Sequence, residues 1–252
     1  MSREHVFAKR LRKLFPEEGA VGHFRSFEDL TGGQRSEEDR WEGTPFSFTV
    51  RDVCEACNNG WMNDLETEVA PVLDGMIRGG ARTLTILEQD ALSRWATKTA
   101  LVVMRAVPQP YPIPDEVARW FGENKRPLPR SYIALGKYSG DGGWPISVHQ
   151  HGAKLAVEGI DPAKLAEIET NAFHSVFAVG KLAVSVVATH LEGDPNVGAP
   201  VPVARRRAIW PVTGEVDWPP PDEMNDRELA VDSAAIPGLE EMPEHLRDVS
   251  DI

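Results

Sequence analysis

Two short segments of this sequence carry residue types that could together perform metal-assisted hydrolysis of a phosphodiester. Glu4-His5 stands near the start, and Cys54-Glu55-Ala56-Cys57 further along is followed directly by Asn58. A neutral imidazole is a suitable base for activating water at cellular pH. Carboxylate and amide oxygens are ligands that hard divalent cations prefer. His5 is therefore a candidate base, and Glu4 and Asn58 are candidate ligands of a divalent cation.

The cysteine spacing suggests metal or redox chemistry. A CxxC pair supplies two of the four ligands of a tetrahedral zinc site, but the chain contains only two Cys. No export signal is recognisable, so a structural disulfide is the less expected use of the pair. A thioredoxin-type role is disfavoured because no βαβ pattern surrounds the motif. Chance or buried cysteines remain an alternative.

The composition indicates a folded protein with an uneven charge distribution. The 252 residues are 41% hydrophobic and carry a formal net charge of −12. From Glu215 to Ile252 there are twelve Asp and Glu against two Arg, so the rest of the chain is nearly neutral. No apolar run is long enough to span a membrane, and no signal-peptide core follows the basic N-terminus. We therefore expect a cytoplasmic protein.

Basic residues form two local clusters within the nearly neutral part of the chain. Because phosphate binding depends on local charge, such clusters matter more than the total. Arg205-Arg206-Arg207 is one of them, and ordinary solvated arginines are the simpler interpretation there. The other surrounds Glu4 and contains the candidate nucleic-acid contacts Arg3, Lys9, Arg10 and Lys13. A solvated face is an equally good interpretation of this cluster.

Hydrophobic periodicity predicts a mixed α+β fold. Helices are expected over 4–14, from Asn58 to Gly79, from a Thr85–Glu88 capping box to 106, over 116–121, and after Asp161-Pro162. Strands are expected over 45–53, 132–138, 146–151, 172–190 with a turn at Gly180-Lys181, and 201–210. Residues 16–45 read as a long loop. A strand, a cysteine knuckle and a helix in succession would form a ββα-type unit if another strand precedes them.

The motifs resemble the HNH (His-Me finger) endonucleases. The resemblance rests on Glu4-His5-Val6-Phe7 and on Cys54-x-x-Cys57-Asn58-Asn59-Gly60-Trp61-Met62. It is closest to HNH proteins predicted in actinobacteria and their phages, and it extends to phage endonuclease VII. The resemblance implies that His5 is the general base and that Glu4 and Asn58 bind Mg²⁺ or Mn²⁺. It also makes Cys54 and Cys57 half of a structural Zn²⁺ site.

The sequence departs from the family pattern at several places. The first CxxC is absent before the Glu-His pair, Glu stands where Asp is commoner, and no Asn precedes Cys54 where the middle Asn of the motif is expected. His23 is a poor substitute ligand because it lies in the predicted loop. One expectation is that the true start lies upstream of Met1 and encodes the missing knuckle. Otherwise the zinc site is half built and the unit is weakly held.

The resemblance covers about a quarter of the chain and suggests three regions. We predict an HNH-like ββα-metal unit over 1–80, an α+β domain with a mainly antiparallel β region over 81–218, and a flexible acidic tail over 219–252. The resemblance gives residues 130–210 no role.

Six further positions have competing interpretations. Asn63 or Glu66 could face the metal, but helix-surface polarity explains them more simply. His149 and His151 share one face of a strand and could bind a metal, although a solvated strand face is the better interpretation. Trp61 and Leu65 could stack on nucleic acid, but a place in the core is the better interpretation.

The sequence therefore favours an HNH-type endonuclease that acts on DNA. The alternative is a degenerate HNH fold that serves as a DNA-binding or protein-interaction module. The acidic tail could contact a basic partner or the protein's own basic cluster, and a homodimer stays open.

Overall fold

The protein combines helices with a mainly antiparallel sheet, in agreement with the predicted α+β class. The structure is a computed structural model, and it describes residues 2–15, 21–25, 39–43, 46–106, 112–140, 146–153, 170–189 and 205–234. Within these ranges, no helix has the length and apolarity needed to cross a bilayer.

The helices of the described ranges include those expected from Asn58, from the capping box and over 116–121. They are α1 (Glu55–Cys57), a π turn (Asn58–Met62), α2 (Asn63–Ile77), α3 (Ile86–Ala106), α4 (Asp115–Asn124) and α5 (Asp226–Ala234). The predicted capping box at the start of α3 is confirmed. The Thr85 backbone N–H donates to Glu88 Oε2 at 2.8 Å, and the Glu88 N–H donates to Thr85 Oγ1 at 3.3 Å.

The described ranges also contain twelve strands. They are β1 (Ser2–His5), β2 (Val21–Arg25), β3 (Asp39–Gly43), β4 (Thr49–Val53), β5 (Arg82–Leu84), β6 (Ser131–Tyr138), β7 (Ile146–Ala153), β8 (Ala172–Val179), β9 (Leu182–Thr189), β10 (Arg206–Trp210), β11 (Val216–Trp218) and β12 (Glu223–Met224). Pairs β1–β4, β2–β3 and β5–β11 form separate two-stranded sheets.

The main sheet has the order β10-β6-β9-β8-β7, with antiparallel neighbours throughout and β12 added in parallel beside β6. The predicted turn between β8 and β9 is confirmed. Gly180 has φ of +57°, and a Cβ there would lie 2.5 Å from the carbonyl oxygen of Ile77. Glycine is therefore required where this hairpin meets the end of α2.

Both faces of the sheet are covered, so every residue of β8 and β9 is buried. On one face, Phe177 makes edge contacts with Phe7 at 5.9 Å and with Trp95 of α3 at 5.8 Å between ring centroids. On the other face, Val176 belongs to a smaller apolar cluster with Leu229 of α5. Side chains alternate along a strand, so neighbouring residues serve the two faces.

One apolar core crosses the predicted boundary at residue 80. It contains Val6 and Phe7 from the N-terminal segment, Leu73 from α2, Trp95 from α3 and Phe177 from the sheet. The N-terminal unit and the β region are therefore packed on each other rather than separated by a linker.

Two predictions on the N-terminal segment need correction. The helix expected over 4–14 is wrong in its first part, because Glu4 and His5 form a strand with β4 and only Lys9–Leu14 turn as a 3-10 helix. Leu11 of the predicted apolar stripe is fully buried. The loop expected over 16–45 contains β2 and β3, which pair with each other.

The first part of the acidic segment is folded onto the sheet. Residues 219–234 form β12 and α5, and Leu229 is fully buried. The Tyr138 hydroxyl donates to Asp226 Oδ1 at 2.6 Å, which holds the start of α5. Residues 235–252 lie outside the described ranges, as does the helix expected after Asp161.

Candidate functional site

Strand pairing sets the Glu4-His5 strand beside the strand before the cysteine turn, with Glu4 and His5 at the end away from that turn. In the antiparallel pair β1–β4, Glu4 lies opposite Val50 and His5 lies opposite Thr49. At the other end Ser2 lies opposite Val53, the residue before Cys54. The strand that carries Glu4 and His5 therefore runs beside the strand that leads into the cysteine turn.

Glu4 lies in a buried environment next to charged neighbours. It is 8% exposed, and its Oε1 lies 3.9 Å from Lys98 Nζ. Burial raises the pKa of Glu4 above its ordinary value of 4.5, and the nearby Glu66 carboxylate adds to the rise. The Lys98 ammonium and a hydrogen bond from the His5 backbone N–H act in the opposite direction.

Glu66 and Lys98 form the centre of this environment. The Lys98 ammonium, 1% exposed, donates to Glu66 Oε1 at 2.5 Å, and the Trp95 indole N–H donates to the same oxygen at 3.1 Å. The other carboxylate oxygen of Glu66 is buried and has no hydrogen-bond partner among the residues that the structure describes. Glu4, Glu66 and Lys98, here called the buried charge cluster, thus contain two carboxylates and one ammonium.

The interpretation of Glu66 as helix-surface polarity is wrong. Glu66 of α2 is only 8% exposed, and its side chain accepts a hydrogen bond from Trp95 of α3. Asn63, by contrast, is exposed at the start of α2. The sequence pattern indicates no role for Lys98 and places Trp95 only among the apolar residues of its helix. A signal was present, because Glu66 is four residues after Met62 and three before Val69 and so lies within the apolar stripe of its helix.

His5 and Asn58 lie at the ends of their elements. His5 is half-buried and is the last residue of β1. Asn58 is also half-buried, and its backbone N–H donates to the Cys54 carbonyl at 3.0 Å. It opens the π turn, in which Gly60 departs from helical geometry with φ of −101° and ψ of −118°. His5 lies opposite Thr49 at the start of β4, whereas Asn58 follows the end of β4, so the strand register does not bring these two residues together.

The side chains in this region carry oxygen atoms of the kind that a hard divalent cation prefers. Their positions, however, are not those of a formed metal site. Glu4 and Asn58 offer oxygens, and Glu66 leaves a buried oxygen without a hydrogen bond from any described residue. Across the described ranges, however, no group of three or more His, Cys, Asp or Glu is placed to hold a metal ion. Lys98 already neutralises part of the carboxylate charge.

The cysteine pair does not fit a zinc site as it stands. Cys54 and Cys57 are bonded to each other as a disulfide, so neither sulfur is a thiolate ligand. These are the only two cysteines of the chain. The N–H of Cys57 donates to Cys54 Sγ at 2.9 Å, which places Cys54 as the cap of α1.

The candidate nucleic-acid contacts differ in their availability. Lys9 and Lys13 are exposed on the 3-10 helix. Arg10 is half-buried and forms an ion pair with Asp74 of α2. The side chain of Arg3 lies outside the described residues, as does that of His23. Among the candidate contacts whose side chains the structure describes, Lys9 and Lys13 therefore face solvent.

The arginine triplet is engaged within the fold. Arg205 pairs with Glu228, and Arg206 pairs with Asp232 in a buried contact. Arg207 Nη1 donates to the Arg206 carbonyl at 3.1 Å. The described part of the acidic segment thus contacts these arginines.

Two side-chain interpretations from the sequence have different outcomes. Leu65 is buried, and Trp61 packs edge-on against Phe121 at 5.5 Å between centroids, which confirms their core placement. The solvated face expected at His149 and His151 is wrong, because both are half-buried and His151 Nε2 lies 3.1 Å from Ser233 Oγ of α5. Burial lowers the pKa of His149, and Asp226 opposes this.

Comparisons with protein-family models, with curated proteins and with solved structures find no match to this chain.

Proposed function

We propose that the protein is a metal-dependent endonuclease of the HNH type that hydrolyses phosphodiester bonds in DNA. The observation that carries the proposal is the pairing of β1 with β4. It sets the Glu4-His5 strand beside the strand that leads into the Cys54–Asn58 turn and its helix. The resemblance implies a ββα-metal unit of two paired strands and a helix, and β1, β4 and the helix after the turn are its candidates, although the 3-10 helix and the β2–β3 pair lie between β1 and β4 in the chain.

In this proposal each residue has a separate role. The His5 imidazole accepts the proton of the attacking water, and the Glu4 and Asn58 oxygens hold the cation. When bound, a Mg²⁺ or Mn²⁺ ion would offset negative charge at the phosphate and at the leaving oxygen. Lys9 and Lys13 supply positive charge for the DNA backbone. The structural zinc implied by the resemblance has no role in this proposal, since the cysteines are bonded to each other.

Cleavage of supercoiled plasmid DNA tests the proposal. Full-length protein should nick or linearise the plasmid with Mg²⁺ or Mn²⁺, and a chelator should abolish the activity. Removal of a general base costs about 10²–10⁴-fold in rate, so His5→Ala should lose most of the cleavage. Asn58→Ala should lose activity at limiting metal and recover part of it at high metal.

Asn59→Ala is the matched control for Asn58. It removes the same side chain one residue later, at an exposed position. It should cleave like the wild type. Folded wild-type protein that cleaves no DNA with any divalent cation would contradict the proposal, and so would full activity in His5→Ala.

A second candidate function is a catalytically inactive HNH-like fold that binds DNA. The position of Lys98, 3.9 Å from the Glu4 carboxylate, favours this candidate because an ammonium there competes with a cation for Glu4. Gel-shift titration distinguishes the two. The inactive form should bind DNA without cleaving it, unaffected by Mg²⁺, and more weakly in Lys9→Ala and Lys13→Ala.

A further inference from the structure

The Cys54–Cys57 turn is a chemically reactive feature that the sequence singled out and that the proposed function does not use. The two residues are joined by a disulfide, with Cα atoms 5.2 Å apart. Cys54 is exposed, whereas Cys57 is half-buried and packs against the apolar core. One sulfur of the bond therefore belongs to a residue that solvent reaches, and the other belongs to a residue shielded by the protein.

The bond contributes little as a covalent brace. A disulfide stabilises mainly by restricting the unfolded chain, and this effect grows with the number of residues in the closed loop. Here the sequence separation is only three residues. The same closeness means that the local backbone keeps the sulfurs within reach of each other when the bond is open. The Cys57 N–H, which donates to Cys54 Sγ, belongs to that backbone.

We propose that Cys54 and Cys57 are a reversible dithiol–disulfide pair that exchanges with low-molecular-weight thiols and disulfides. This inference goes beyond the proposed nuclease activity and does not depend on it. It assigns a redox modification site, with Cys54 as the sulfur that is attacked and Cys57 as the resolving sulfur. The exposed position of Cys54 carries this assignment, because exchange requires access to the attacked sulfur.

Reduction of the Cys54–Cys57 bond by small thiols takes two exchange steps. A small thiol attacks Cys54 Sγ, the Cys54–Cys57 bond breaks, and Cys57 leaves as a thiol that carries the proton of the attacking group. A second small thiol attacks the small-molecule sulfur of the mixed disulfide and releases a small disulfide, and its proton passes to Cys54. Two thiols are oxidised and one protein disulfide is reduced. The reverse sequence closes the bond again.

The disulfide directly precedes the π turn, so a backbone change at the cysteines affects the start of that turn. The Asn58 N–H donates to the Cys54 carbonyl, and the π turn begins at Asn58. Opening the bond should therefore loosen the backbone from Cys54 to Met62 and leave the main sheet unchanged. Deuterium exchange by mass spectrometry should show faster uptake over this segment only.

Glutathione equilibration of the full-length protein tests the proposal. The protein is equilibrated, without oxygen and with a chelator, in buffers of increasing ratio of reduced to oxidised glutathione. Free thiols are then alkylated, and the labels are counted by intact-protein mass spectrometry. We expect a shift from no label to two labels per chain, reached in a single step and from both directions. In Cys57→Ser, Cys54 should form a glutathione adduct several-fold faster than Cys57 does in Cys54→Ser, since Cys54 is the more exposed.

Three outcomes would overturn the proposal. Both thiols could stay free at every ratio in the folded protein. Glutathione could reduce the disulfide only after the protein is unfolded in urea, which would make it a structural disulfide. Zn²⁺ added alone to the reduced protein could bind at one ion per chain through both cysteines and block oxidation, which would make the pair metal ligands.

Discussion

Replacing Lys98 by Met should destabilise the protein strongly at neutral pH. The ammonium is 1% exposed and lies 2.5 Å from Glu66 Oε1 and 3.9 Å from Glu4 Oε1. Met has a similar length but no charge, so the substitution leaves two buried carboxylates without their cation. Breaking a buried ion pair on one side costs about 3–5 kcal/mol. That is a large part of a typical free energy of unfolding, which is about 5–15 kcal/mol.

Urea unfolding followed by circular dichroism measures the effect. Lys98→Met, Glu66→Gln and the double variant form a double-mutant cycle. Gln keeps an acceptor for the Trp95 indole, so the double variant should regain part of the stability lost in Lys98→Met. Lys13→Met is the matched control, because Lys13 is exposed and such changes stay within about 0.5 kcal/mol.

The pH dependence gives the same reasoning a second test. Because the pKa of Glu4 is raised in the fold, the folded state holds its proton more tightly than the unfolded state. The free energy of unfolding therefore falls as pH rises from the ordinary value of 4.5 through the raised value. Lys98 lowers the pKa of Glu4, so Lys98→Met should widen this window and recover stability in acid. A loss below about 1 kcal/mol at pH 7, or a deficit independent of pH, would refute the reasoning.

Three further variants test the fold around the site by the same urea assay. Thr85→Ala removes the hydroxyl that accepts from the Glu88 N–H and donates to Glu88 Oε2, and it should cost about 0.5–2 kcal/mol; an unchanged midpoint would mean that the cap is not formed in solution. Gly180→Ala places a Cβ at φ of +57° and 2.5 Å from the Ile77 carbonyl oxygen. It should therefore cost more than the roughly 1 kcal/mol of an ordinary left-handed position. Leu229→Ala should cost about 2–5 kcal/mol, because Leu229 is fully buried; a neutral result would show that α5 is not docked on the sheet.

Local patterns in the sequence predicted most of the regular elements. The β8–β9 hairpin with its turn at Gly180-Lys181 was predictable because alternating apolar runs flank a glycine. The start of α3 was predictable because Thr85 and Glu88 satisfy each other's backbone groups whatever the rest of the chain does. The helix expected over 4–14 failed because strand pairing with β4 overrides the local apolar period.

The candidate site was predictable in its residue types but not in its surroundings. Glu4, His5 and Asn58 stand out by chemistry and spacing alone. That Glu4 is buried against Lys98 and Glu66 depends on the packing of α2, α3 and β1, which are far apart in the sequence. The position of α5 was not predictable either, because its charged residues are typical of a solvated tail. Only the structure shows that Leu229 packs in an apolar cluster and that Asp232 and Glu228 pair with arginines.

The sequence by itself determined where most helices and strands form and which residues could do chemistry. Both depend on side-chain identity and short-range spacing, which act over a few residues. The tertiary structure alone decided that Glu4 lies beside an ammonium, that β1 runs next to the strand before the cysteine turn, and that the two cysteines bond to each other. Strand partners and buried charge partners are set by burial and loop closure across the whole chain, and no local pattern contains that information.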